Sequence, residues 1–159
     1  MRFYSITETY SGGYVTCGIE NNGSFDDVAV VINVDGLGNE IWRKYPMPSN
    51  GFKSCNTIRK YQNKFIAIGG SDTINIVKMD LDGSTITHKR LPRPTGANSW
   101  LSTDGKGELY NDGLITYKNF GSATGIFTYI TRLDSNFNSL DTFRIRYVSG
   151  DCFIFSSLP

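Results

Sequence analysis

Apolar and polar residues alternate over short stretches of this chain, and glycine and Asx residues separate the stretches. In Ile74-Asn75-Ile76-Val77-Lys78-Met79 apolar residues are interleaved with polar Asn75 and Lys78, which predicts a strand. The run Val28-Ala29-Val30-Val31-Ile32 is apolar throughout, as expected for a strand covered on both faces. Ser11-Gly12-Gly13, Asp35-Gly36-Leu37-Gly38-Asn39, Asp82-Gly83-Ser84 and Asp104-Gly105-Lys106-Gly107 are predicted turns. Glycine there accepts positive φ, and Asx side chains bond the local backbone. No segment carries a helical period, so the prediction is all-β.

The pattern recurs. Tyr14-Val15-Thr16-Cys17-Gly18 and Phe65-Ile66-Ala67-Ile68-Gly69 are 51 positions apart, and Leu114-Ile115-Thr116-Tyr117-Lys118 follows 49 later. Tyr10, Tyr61 and Tyr110 fall into line at the same offsets. Asp27 and Asp72, Asp35 and Asp80, and Gly38 and Gly83 are each 45 apart, while the third copy keeps Asp134. Such a period marks a repeated supersecondary unit. Each unit reads as four strands: about 3–9, 13–19, 27–34 and 40–45; then 53–60, 64–69, 73–80 and 85–91; then 98–103, 113–118, 126–133 and 139–147.

Gly12-Gly13-Tyr14-Val15 with Gly18, then Asp27, Asp35, Gly38, Asn39 and Trp42, resembles bacterial propeller repeats of the form GGY-V-x-G … D-x-x-x-x-K-x-D-x-x-G-N-x-x-W. Ile68-Gly69-Gly70 makes the second unit partly kelch-like. The resemblance implies β-propeller blades of four antiparallel strands. Three blades would span about 3–46, 52–92 and 97–147, with the first strand of a fourth at about 151–157, all in one propeller-type domain, or part of one, over 1–159. The third unit departs from the pattern. Lys118 stands at the glycine after its second strand, and Phe137 stands where Gly38 and Gly83 sit. Trp42 has no tryptophan counterpart in either later unit, since Thr87 and Asp141 occupy its place. Such repeats imply binding or scaffolding at bacterial surfaces and no particular ligand.

Charge and composition exclude several classes. Sixteen basic residues against 15 acidic ones give a net charge of +1, with no basic stripe for nucleic acid. No run approaches the roughly 20 apolar residues that span a bilayer. The start, Met1 to Glu8, lacks a signal peptide's apolar core, which leaves localisation open beyond what the resemblance implies. Cys17, Cys55 and Cys152 are distant and odd in number, against a disulfide framework or a zinc site, and are read as small buried residues.

Candidate chemistry is sparse. His88 is the only histidine, so any Ser-His-Asp or His-based metal site must use it. It is predicted on an exposed edge strand. Asp35, Asp80 and Asp82 read as turn caps, since neither loop completes a calcium-binding pattern. Asp26 and Asp27 are adjacent and would point to opposite faces of a strand. The expectation is a protein without catalytic residues, metal or cofactor.

The binding expectation rests on loops between second and third strands, and between blades, gathering on one face. They contribute Asn21, Phe25, Asp26, Phe52, Asp72, Arg93, Asn98 and Phe120, with Trp100 just inside a following strand. Amides and aromatics of this kind suit protein or sugar contacts. Three blades would also leave two flat apolar faces uncovered. A protein partner, a longer chain or self-association is expected to complete the propeller. Three functions stand open: a protein-binding scaffold, a carbohydrate-binding lectin-like propeller, and a glycan-acting enzyme with an incomplete site.

Overall fold

Alternating β-branched and polar residues pair here into three antiparallel meanders. The computed structural model describes residues 1–21, 23, 27–46, 53–70, 73–92, 106–110, 113–122 and 125–146. Sheet one is β1 (Arg2–Glu8), β2 (Tyr14–Asn21), β3 (Asp27–Val34) and β4 (Glu40–Lys44). Sheet two is β5 (Cys55–Tyr61), β6 (Lys64–Gly69), β7 (Ile74–Met79) and β8 (Thr85–Leu91). Sheet three is β9 (Lys106–Tyr110), β10 (Gly113–Ser122), β11 (Gly125–Leu133) and β12 (Ser139–Arg146). The described residues contain no helix, so none is long and apolar enough to cross a membrane.

The three sheets share one register. Tyr14 pairs with Val34, Phe65 with Met79, and Leu114 with Leu133. Each fourth strand carries a bulge at the same place, so that Ile41, Ile86 and Leu140 are skipped in the ladder. The three bulged residues are exposed. A bulge re-aims the strand and raises its twist, and its repetition gives all three sheets the same local bend.

The turn between third and fourth strands also repeats. Backbone bonds run from Asp35 N to Asn39 O and from Gly38 N to Asp35 O, and they recur at Asp80 with Gly83 and Ser84 and at Asp134 with Phe137 and Asn138. This is a three-residue hairpin loop ending in a left-handed residue. Gly38 and Gly83 take that position with φ of 89° and 82°, and Phe137 takes it with φ of 62°. The aspartate before the loop bonds it from within. Asp35 Oδ1 accepts from Leu37 N and Asn39 N, both at 2.8 Å, and Asp134 Oδ1 accepts from Asn136 N and Asn138 N at 2.8 Å. The turn-capping expectation describes Asp35, and in the second turn Asp80 Oδ1 accepts from Leu81 N and Asp82 Oδ1 from Ser84 N, both at 2.8 Å.

Two boundaries differ from expectation. The third sheet's first strand is Lys106–Tyr110, where a turn was expected through Lys106 and Gly107. The 98–103 stretch expected to form it lies outside the described residues, as does 151–157. The alignment of Tyr110 with Tyr61 already pointed to this place, because both residues end their strands. In the first sheet the offset slips by one. Glu8 pairs with Tyr14 and Thr9 N bonds Gly13 O, whereas Tyr61 pairs directly with Lys64. The first hairpin is one residue longer, so Tyr10 sits in the turn and Thr9 takes the place of Tyr61.

Candidate functional site

Of the residues expected to bind, Asn21 and Phe120 lie among those described, and neither lies in a loop. Asn21 ends β2 opposite Asp27. Its amide donates to Asp27 Oδ1 at 3.4 Å, and its carbonyl oxygen accepts from Gly23 N at 2.9 Å. It serves the local turn. Phe120 is a strand residue opposite Phe127, because β10 and β11 stay paired out to Ser122 and Gly125. The loop expected over 119–125 is thereby mostly strand. Phe25, Asp26, Phe52, Asp72, Arg93, Asn98 and Trp100 lie outside the described residues.

His88 lies on β8, an edge strand of its sheet as expected, but is half-buried and not exposed. Its Nε2 is 2.9 Å from Oδ1 of the fully buried Asn75. Desolvation, then the neighbouring Arg90, holds its pKa below the ordinary value. Cys17 and Cys55 are buried free thiols between sheets one and two. The Cys17 thiol donates to Cys55 O at 3.3 Å. Burial, then Cys55, pushes its pKa well up, which leaves a poor nucleophile. Among the described residues no group of three or more His, Cys, Asp or Glu side chains could hold a metal ion.

What the structure does assemble is a set of sheet faces. Call the face of each sheet turned toward the next sheet its leading face, and the other its trailing face. The leading face of sheet one carries Val15, Cys17, Ala29 and Val31. These pack on Ile58, Phe65, Ala67, Val77 and Met79 of sheet two's trailing face, with Trp42 packed against the cluster. The leading face of sheet two carries Ile66, Ile68, Ile74 and Ile76, which pack on Leu114, Leu133 and Phe137 of sheet three. By register Ile66 and Ile68 stand where Val15 and Cys17 do, and Ile74 and Ile76 where Ala29 and Val31 do. The same positions thus make both interfaces.

Polar contacts mark the two edges of the interfaces. Trp42 Nε1 donates to Leu81 O at 3.1 Å, across from β4 to the turn of sheet two. Lys89 Nζ donates to Asn138 Oδ1 at 2.9 Å, from β8 to the matching turn of sheet three. At the other edge the first strands meet, with β1 nearest β5 and β5 nearest β9. There Arg59 reaches both neighbours. Its Nη1 donates to Ser5 Oγ at 3.1 Å, while its Nε and Nη2 donate to the Glu108 carboxylate at 3.0 and 2.6 Å.

The two outermost faces are different. Ile6, at the register position of Ile58, is 62% exposed where Ile58 is 0%. Tyr14 is 40% exposed where its counterpart Phe65 is 1%. At the other end Ile115, Tyr117 and Ile130, the counterparts of the fully buried Ile66, Ile68 and Ile76, are only half-buried, and Phe143 is 58% exposed. Strand alternation alone does not single out these side chains. A scan against models of known protein families and a search of curated proteins found no match to this chain.

Proposed function

We propose that this chain is a non-enzymatic binding or scaffold module of propeller-type blades that joins other protein surfaces in an assembly. The observation that carries the reading is the exposure of apolar side chains on both end faces: Phe3, Ile6 and Tyr14 on one, where Val30 and Ile32 of β3 are already buried, and Phe143 on the other. Ile6 and Tyr14 stand at the register positions of the buried Ile58 and Phe65, while Phe143 stands at that of Lys89, which bonds the next sheet at the interface rim. Contiguous exposed apolar surface of this kind marks interaction sites. The propeller reading is supported by three features: a meander in every sheet, one face of each sheet turned consistently to the next, and first strands drawn together along one edge. Blades arranged around a channel share these features.

The chemistry of the described side chains fits this better than turnover. The lone histidine is held by Asn75, and burial pushes the Cys17 thiol well above its ordinary pKa. The carbohydrate-binding and glycan-acting readings would rest on loop residues outside those described.

The test is chemical cross-linking of the full chain in extract of its source, with a glycan array run in parallel. The reading expects a defined protein joined through residues of the open faces, and no turnover of glycans. Saturable glycan binding with no protein contact at those faces would overturn it.

A further inference from the structure

We propose that the leading face of sheet three docks, head to tail, on the trailing face of sheet one of a second copy of this chain, so that two copies close a ring of six sheets. This rests on the propeller reading above and names its partner.

The argument is one of repetition. A face used twice within the chain, at the same register, is presented once more at each end. The trailing face of sheet one offers Ile6 and Tyr14 where sheet two offers Ile58 and Phe65. The leading face of sheet three offers Ile115, Tyr117 and Ile130 where sheet two offers Ile66, Ile68 and Ile76. The open surfaces are therefore the two unlike halves of one interface, and they lie on opposite ends of the same molecule. A self-complementary two-fold contact would need one surface to match itself. Here the match is between unlike surfaces, which makes the contact heterologous.

Both faces carry charged side chains that are paired within their own sheets, Arg43 with Glu20 and Glu40 on the trailing face of sheet one and Arg132 with Asp141 on the leading face of sheet three. Arg59 crosses the interface between sheets two and three to Glu108. In the proposed seam Glu108 occupies the corresponding leading position, and the register places Thr7 opposite it in the partner. No described carboxylate takes that place. Heterologous contacts either close into rings or run on as open filaments. Propellers close with about four to eight blades. Each copy brings three described sheets, and six is the multiple of three inside that range.

Light scattering of the purified 159-residue chain tests this, with two single variants and their mixture. Ile6→Lys and Phe143→Lys change exposed side chains, so each variant is expected to fold, and circular dichroism checks that. The wild type is expected at twice the 17.7 kDa chain mass. In either variant alone both seams carry a lysine, and the mass is expected to fall toward that of one chain. In the mixture one seam joins two unaltered faces, so the doubled mass is expected to return. A wild type that stays at single-chain mass as concentration rises would overturn the inference. So would a mass that grows without limit, or two variants that fail to complement. A single-chain species that still cross-links a different protein through the same faces would overturn the inference and leave the scaffold reading standing.

Discussion

Phe137 shows how a single residue can break a local rule and be retained. Its φ of 62° lies where Gly38 and Gly83 stand in the other turns. A side chain in that region costs roughly 1–2 kcal/mol. In return the ring is buried between sheets two and three, beside Lys78, whose ammonium lies 5.9 Å from the ring centre. Truncation to alanine should lose about 3–5 kcal/mol and keep the strained backbone. Truncation to glycine should lose the same packing but relieve the strain, leaving it about 1 kcal/mol more stable than the alanine variant. Urea unfolding of both variants checks this, and equal stability of the two would contradict it. The neighbouring Asp134 gives a pH prediction. Bonds from the Asn138 backbone, the Asn138 side chain and the Asn136 backbone hold its pKa below the ordinary 3.8. Its contribution is present above that value and is lost as pH falls through the lowered one. The stability gap between wild type and Asp134→Asn should therefore narrow between about pH 7 and about pH 2, as denaturant titrations at both ends would show. A gap that is constant with pH would mean the carboxylate charge contributes nothing.

Among the elements, the first strands are the least regular, and glycine decides how they run. A Cβ on Gly18 would collide with the Arg2 carbonyl oxygen, and one on Gly69 with that of Ser54. Both lie beside the bulge where the first strand crosses the second. Lys118 holds the same place in sheet three, and β9 is paired there only as far as Lys106 opposite Tyr117. The Lys118 side chain instead lies buried against sheet two, its Nζ 3.2 Å from Gly70 O. Gly69→Ala should accordingly destabilise the fold by about 1–3 kcal/mol, with faster amide exchange along β5. Unchanged exchange in β5 would separate the glycine from the bulge. The sequence pattern made ten of the twelve strands legible to within a few residues, because period-two alternation and Asx-Gly turns agree along β2 to β8. It failed at β9, whose Lys106-Gly107-Glu108 start carries no apolar alternation. It also failed at the far end of β10, where polar Asn119 and Ser122 look like loop residues but continue the ladder.

For the whole molecule, the account is that one four-stranded unit, with a leading and a trailing apolar face, is repeated in register, and that the two end faces, proposed above as the halves of one seam, expose Ile6, Tyr14 and Phe143. The candidate binding loops were legible only as composition. Asn21 turned out to serve its own turn, and Phe120 belongs to a strand, because loop-forming residue types are also strand-ending ones. The faces were harder to read, since the exposure of Ile6 and burial of Ile58 follow from neighbours that a strand's own residues do not reveal. The most direct measurement is hydroxyl-radical footprinting of the intact chain across a dilution series, followed at Tyr14 on the first face and Phe143 on the last. The account predicts that both become protected together as concentration rises, while the exposed turn residue Leu37 stays reactive. Tyr14 and Phe143 labelled freely at every concentration would contradict the claim that these faces are built to be covered.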